Sequence, residues 1–354
     1  MSKLVLTLTI LVSMVLPSTT ASAAPSASPN VAVSSANAVR VFTRNLYIGA
    51  DLTLLAGATS LPDLFAKATQ VFQQVQATNF PARAKLLARE IQDADPTLVG
   101  LQEAAEWRTG PFGVPPATTV VYDFVASLQT ELKNLGLNYT VVRIQPDLDA
   151  ELPSTLGVDI RLTWRDVVLA KVEDDLTLSN VNSAAYNANL VVPTIGGPIA
   201  FTHSWISVDA TLKGKTFRFI STQLDGDVSY YRFAQSNELL SGPANTSLPV
   251  VLVGDLNSDS TEAGPFSAYA NLVGAGFADT WLQVNPSNPG FTCCNAPDLL
   301  NSTPTLTTRI DHILTRPGLA VFKSQLVGTD QNNRTPTGLW PSDHAGVVAK
   351  LGLP

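Results

Sequence analysis

The chain has 354 residues, of which 45% are hydrophobic and only 14% charged, and its formal net charge is -7. Plentiful apolar residues along the whole length exclude a disordered protein, and the charged fraction falls well below the usual quarter or so. The acidic balance excludes an overall field that attracts polyanions, although a local basic patch or bound divalent cations can still bridge to phosphates.

The first 23 residues place Lys3 before an apolar run from Leu4 to Leu16 and close on Ala21-Ser22-Ala23. A charged start, a short apolar stretch and a small-residue A-x-A site read as a secretory signal peptide, too short for a membrane span. Residues 24–37, rich in Ala, Ser, Pro and Asn, read as a flexible leader. Residues 38–354 are expected to form one domain: a secreted monomer without stable membrane insertion.

Val39–Asn45 alternates like a strand. Residues 61–94 have helical periodicity with a break at Phe80-Pro81. Residues 97–102 (TLVGLQ) read as a short buried strand running into Glu103. A second amphipathic helix is expected over Tyr122–Leu135, then a strand over Tyr139–Ile144. Three further strands follow at Val158–Lys171, Ile199–Leu212 and Thr216–Gln223, with Gly214 at a hairpin turn. Tyr230–Leu240 reads as a helix, Val250–Val253 as a buried strand, and Ala263–Gly274 as a helix. Arg309–Leu314, Ala320–Val327 and Ala345–Leu351 complete the strands. Helices interleaved with hairpin-like strand pairs predict an α/β fold with mixed sheets.

Polar residues recur at the strand ends: Asn45, Glu103, Asp255, Asn257, Asp311, Asp343 and His344. One such residue is ordinary turn chemistry. Seven of them suggest a shared cleft. Strand alternation would turn Asp255 and Asn257 the same way, and would set Arg309, Asp311 and Ile313 on one face with His312 opposite. Asp311 is the natural partner for His344, because a carboxylate fixes an imidazole's tautomer and raises its basicity. Hard oxygen donors of this kind suit Mg²⁺. A carboxylate can orient or deprotonate water, while an imidazole and an amide can stabilise charge on a phosphate.

The ordered pieces TRNLYIG (Asn45), LVGLQE (Glu103), VGDLN (Asp255, Asn257), RIDHIL (Asp311) and SDH (Asp343, His344) span nearly the whole chain after the leader. In that order they resemble the endonuclease/exonuclease/phosphatase, DNase I-like family. The resemblance implies a four-layer αββα sandwich with two packed mixed β-sheets, and a divalent-metal-dependent phosphoesterase; with the signal peptide, the expectation is a secreted phosphodiesterase using Mg²⁺ or Mn²⁺. It implies Glu103 as main metal ligand with Asn45 and Asp343 near the metal. Asp255 would activate water, Asn257 would hold the phosphate, and His344, paired with Asp311, would stabilise transition-state charge.

One position departs from the family pattern. Where many members carry a His after the middle strand, FRFISTQLDGD presents Gln223. An amide can donate a hydrogen bond to a phosphate but cannot shuttle a proton. His203, on a neighbouring strand, could approach in its place, and Arg165 could clamp a phosphate bidentately. Nucleic acid is the substrate favoured by elimination. The alternatives are a sphingomyelinase-like or small-phosphoester hydrolase, or a catalytically weakened binding protein on the same fold. No aromatic lipid-binding hairpin is evident in the sequence, which counts against the sphingomyelinase reading. The adjacent Cys293 and Cys294 form no Cys-x-x-Cys motif, and on sequence alone they are either a strained vicinal disulfide or two free thiols.

Overall fold

The computed structural model describes residues 38–317 and 319–354, so the signal peptide and leader expected over 1–37 lie outside the described residues. In chain order the first half contains β1 (Ala38–Asn45), α1 (Thr53–Ala56), α2 (Leu61–Ala77), α3 (Phe80–Ala94), β2 (Leu98–Gln102), β3 (Glu106–Pro111), β4 (Thr119–Asp123), α4 (Phe124–Asn134), β5 (Tyr139–Pro153) and β6 (Val158–Lys171). Then come β7 (Leu176–Ala185), β8 (Leu190–Thr194), β9 (Gly197–Phe201), β10 (Ser204–Leu212), β11 (Lys215–Gln223), α5 (Ser229–Ser241) and β12 (Val250–Asp255). The chain ends with α6 (Ala268–Gly274), β13 (Ala278–Asp279), α7 (Thr280–Val284), β14 (Asp311–Arg316), β15 (Ala320–Val327) and β16 (Gly346–Gly352).

Two mixed sheets carry the fold. The larger has the order β15-β16-β1-β2-β6-β3-β4, with β5 also paired to β6, and the other runs β13-β14-β12-β11-β10-β7. Three apolar clusters define four layers. The first packs Phe42, Val99 and Leu169 of the large sheet against α2, α3 and α4. The second fills the gap between the sheets, where Val41, Leu98 and Val168 meet Phe219, Val251 and Ile313. The third packs Leu252 and Leu314 of the smaller sheet against Leu239 of α5 and Leu272 of α6. This is the expected helix–sheet–sheet–helix sandwich, because each sheet has two apolar faces and both must be covered.

Local signals explain most boundaries. Ser60 caps α2 by accepting from the Asp63 amide at 3.3 Å, and Pro occupies the first turn, where no amide is needed. Asp123 caps α4, so Tyr122 and Asp123 belong to β4 and not to the helix expected there. Three expectations need correction. The single strand expected over Ile199–Leu212 is two strands, split at Thr202-His203: β9 pairs only with β8, and β10 joins the smaller sheet. The helix expected over Ala263–Gly274 begins only at Ala268, where Ser267 accepts from the Ala270 amide. Strands β3, β4, β7 and β8 were not expected, because they carry too few buried apolar residues to stand out.

Candidate active site

The period-2 alternation of the strands builds the site. Val39 and Val41 of β1 point into the gap between the sheets, and Asn45 continues that face at the strand's end. In β12, Val251 and Val253 point the same way and Asp255 follows. In β11, Phe217 and Phe219 lead to Gln223, and in β14 Ile313 shares its face with Asp311. Gln223, Asp255 and Asp311 are direct neighbours across three adjacent strands. The inter-sheet layer is therefore apolar along its length and turns into carboxylates and amides at one end. Gly254 precedes Asp255 for a steric reason: its φ is +152°, and a Cβ there would lie 1.9 Å from the Thr222 carbonyl oxygen.

Two amides bridge two carboxylates. Asn45 Nδ2 donates to Glu103 Oε1 (3.0 Å) and Asp255 Oδ2 (3.1 Å). Gln223 Nε2 donates to the same two atoms, at 3.1 and 3.4 Å. Each amide is oriented by a donor to its oxygen: the Tyr47 amide to Asn45 Oδ1 (2.8 Å) and Trp164 Nε1 to Gln223 Oε1 (3.1 Å). Glu103 Oε2 accepts from the Ile48 amide at 2.9 Å. Glu103, Tyr47 and Asn257 all have positive φ (58°, 58° and 48°), so left-handed backbone collects at this end of the sandwich.

His344 completes the cluster. Its Nδ1 lies 2.8 Å from Asp311 Oδ2, which fixes the proton on Nδ1. Its Nε2 is 4.0 Å from Asp255 Oδ2 and 4.0 Å from Cys294 Sγ. Burial works to lower the His344 pKa, but Asp311, Asp343 and Asp255 together hold it well above its ordinary value. Burial, followed by repulsion from Asp311, pushes Asp255 up to about 7. Burial also raises Asp343, to about 6.

The ligand atoms of Asp255, Asp311 and His344 lie within 4.8 Å of one another, as do those of Cys293, Cys294 and His344. The Asp311–His344 hydrogen bond already engages two atoms of the first set. In the second, Cys293 and Cys294 are bonded to each other, so their sulfurs are not thiolate donors. The Glu103, Asn45 and Asp343 set has the hard oxygens that a divalent cation favours. Glu103 is also among the charges that raise Asp343, so the two carboxylates sense one another.

Four of the expected residues stand differently from the sequence reading. Arg165 does not face the cleft. It shares the parity of Val167 and Leu169, which pack toward the helices, and its guanidinium binds the Ala104 and Ala105 carbonyls, Glu106 and Asp123. It therefore braces the loop after Glu103 and is not positioned as a phosphate clamp. Asn257 lies beyond the end of β12, so strand alternation is not what aims it. Its amide nitrogen donates to Leu224 O (2.8 Å) and its backbone N–H to Asp255 Oδ1 (2.9 Å), which leaves one side-chain N–H toward the cavity it lines. Arg309 sits on the His312 side, bonded to Asp279, because the strand begins only at Asp311. Gln223 is occupied by Glu103 and Asp255. His203 lines the same cavity, packs edge-on against Trp164, and leaves its Nδ1 without a hydrogen-bond partner.

Sequence reasoning missed the residues that hold the loops. Buried Arg44 pairs with Glu90 of α3 and donates to the His344 carbonyl. Arg83 of α3 donates to the Leu46, Tyr47 and Pro341 carbonyls and so ties the Asn45 loop to the Asp343 loop. Ser342 Oγ donates to Asn45 O at 2.8 Å. Arginines inside an otherwise apolar strand and on a core-facing helix side were the available signal.

The match to a family model for the endonuclease/exonuclease/phosphatase family covers residues 69–344, most of the chain. The chain belongs to that family. Solved structures share the fold. A family protein from Bacteroides thetaiotaomicron aligns with TM-score 0.57 and 15% identity over 90% of this chain and 98% of that one. A mannosyl-6-phosphatase from the same species aligns with TM-score 0.55 and 17% identity, over 88% and 99%. TDP2 of D. rerio, complexed with a single-strand DNA product, aligns with TM-score 0.51 and 16% identity, over 89% and 98%. No match was found among curated proteins.

Proposed function

We propose that this chain hydrolyses phosphoesters with water as nucleophile and a divalent metal ion as cofactor. The observation that carries the reading is the charge of the cleft. Asp255, Asp311 and Asp343 surround the His344 imidazole with Glu103 nearby, and burial, with repulsion from neighbouring carboxylates, raises the pKa values of Asp255 and Asp343. A phosphate cannot be held beside that many carboxylates without a cation. Glu103, oriented by Asn45, would hold Mg²⁺ or Mn²⁺ with Asp343 alongside. Such an ion supplies positive charge to the phosphoryl oxygens when bound.

The chain's own groups do the rest. Asp255, poised near neutrality, takes a proton from the attacking water. The water oxygen bonds to phosphorus as the ester P–O bond breaks, and the departing oxygen takes a proton from water of the cleft. His344, held charged by Asp311, donates through Nε2 to a phosphoryl oxygen. Asn257 offers its remaining N–H to the same group. Gln223 acts by positioning Glu103 and Asp255.

Nucleic acid is one candidate substrate, supported by the DNA product held by the D. rerio relative. The acidic balance of this chain speaks against extended backbone contacts. Secretion is part of the proposal and rests on the signal peptide read in residues 1–23; N-terminal sequencing of exported protein beginning near Ala24 supports it, and retention of residues 1–23 refutes it. The hydrolase reading is tested with residues 24–354 stripped by EDTA and assayed on bis(4-nitrophenyl) phosphate. No turnover is expected until Mg²⁺ or Mn²⁺ is restored. Calorimetry that finds no divalent-cation binding would sink it.

A further inference from the structure

The cavity that contains the carboxylates does not stop at them. It is about 620 Å³ in volume and continues away from Asp255 and His344 into an apolar wing. One wall is the β8–β9 hairpin, which belongs to neither large sheet. Its cross-strand pairs Leu190–Phe201 and Val192–Ile199 put four apolar side chains on one face. All four line the cavity, and none belongs to the apolar clusters that form the core. The alternate residues Val191, Pro193 and Ala200 are exposed on the outer face. Opposite walls come from Leu148 and Leu152 of β5 and from Leu162 of β6. His203, just after the hairpin, lines the same cavity together with the polar side chains of Gln223, Asp227 and Asn257.

A folded chain gains nothing by holding such a surface open to water, since water finds few hydrogen-bond partners in an apolar recess. We propose that the ester this site cleaves carries an alkyl or acyl chain, which lies in the wing while its phosphate sits at the carboxylate end. This rests on the phosphoester hydrolase reading and assigns its substrate class. A nucleotide is the poorer fit, because its sugar and base need polar partners, and the one polar side chain that the hairpin turns into the cavity, Thr194, already donates its hydroxyl to Gly197 O. The β8–β9 hairpin is also the element hidden in the sequence by reading Ile199–Leu212 as one strand.

The test is a series of alkyl 4-nitrophenyl phosphates, from methyl to octyl, kept below the concentration at which they form micelles. kcat/KM should rise about fourfold for each added methylene, or about 0.8 kcal/mol, until the wing is full. Val192→Asp should flatten that slope. Val191→Asp, on the outer face, should keep it. Calorimetry with butyl-, hexyl- and octylphosphonate reads the same preference without turnover: affinity should rise with length, with an increasingly negative heat-capacity change. A length-independent series in both assays overturns the inference even if the methyl ester is cleaved. So does faster cleavage of the 4-nitrophenyl ester of thymidine 5′-monophosphate than of the octyl ester. Length-dependent phosphonate binding with no turnover of any ester would instead sink the hydrolase reading and leave the ligand class of the wing standing.

Discussion

Two neighbours on β14 face opposite sides of the smaller sheet and meet opposite fates. Asp311 points into the gap between the sheets and pairs with His344, whereas His312 points toward the helices and packs on Tyr269. Both histidines are buried, at 6% and 1% exposure. Burial lowers the pKa of each, yet His344 ends well above its ordinary value and His312 falls to about 4. The difference is the company. Three carboxylates surround His344. His312 has Asp279 nearby, but Arg309 shares that carboxylate at 2.6 Å and also approaches His312 Nδ1 at 3.3 Å. With Nε2 set to donate to Ser258 O at 3.1 Å, His312 is neutral and structural. Burial alone does not say what a histidine does; uncompensated carboxylates do.

The strongest way to break this contrast is to remove the chemistry on the inter-sheet face. Asp255→Asn should lower kcat/KM by about 10²–10⁴-fold, the range expected for a lost general base. Its melting temperature should change little, because relief of a crowded buried carboxylate offsets the hydrogen bonds that an Asn nitrogen cannot accept from Asn45 and Gln223. A large loss of stability with activity retained would show that Asp255 is structural.

Asp311→Asn should cost about 10–100-fold in kcat by releasing the imidazole it orients, with little change in KM. Steady-state kinetics on a short ester read the split. A pure KM effect would mean that His344 binds the substrate without acting on the transition state.

On the helix-facing side the prediction is about stability. His312 binds a proton far more weakly in the folded chain than in the unfolded one, so the unfolded chain takes up the proton first as pH falls. Its contribution is complete above the ordinary histidine pKa of 6.5 and is lost progressively toward pH 4. The loss is about 3 kcal/mol. Urea titrations of the wild type and His312→Asn from pH 7.5 to 4.5 should show the shallower slope in the variant. Equal slopes would place the acid sensitivity elsewhere.

The smallest effect is expected at Gln223→His. The amide donates to Glu103 and Asp255 while accepting from Trp164. An imidazole has two ring nitrogens and cannot make all three bonds, so the variant should lose about 1–3 kcal/mol of stability. Turnover should not improve. Faster turnover would mean that the amide stands where a general acid belongs.

Much of the site was legible in the sequence because strand alternation is a local rule. Valines at 39 and 41, or at 251 and 253, announce a buried face, and the polar residue that ends that face is visible as an exception. Alternation placed Asp311 on the inter-sheet face, and the Asp311–His344 pair was then readable from chemistry, because a carboxylate is the natural partner of an imidazole. Arg165 was misread because its strand is buried on both faces: an arginine there reveals that it is inside, but not on which side. The β8–β9 hairpin was missed because one alternating run continues through Thr202-His203 without a glycine or proline to mark the break.

The sequence by itself determined the family, the order of the motifs and the apolar layers, since these depend on residue type and spacing along one chain. Only the tertiary structure decided which carboxylates share a cleft, which arginines are consumed in loop contacts, and that an apolar wing opens beside the site. Those are matters of distances between segments far apart in sequence, and local periodicity cannot encode how closely two sheets and a hairpin approach.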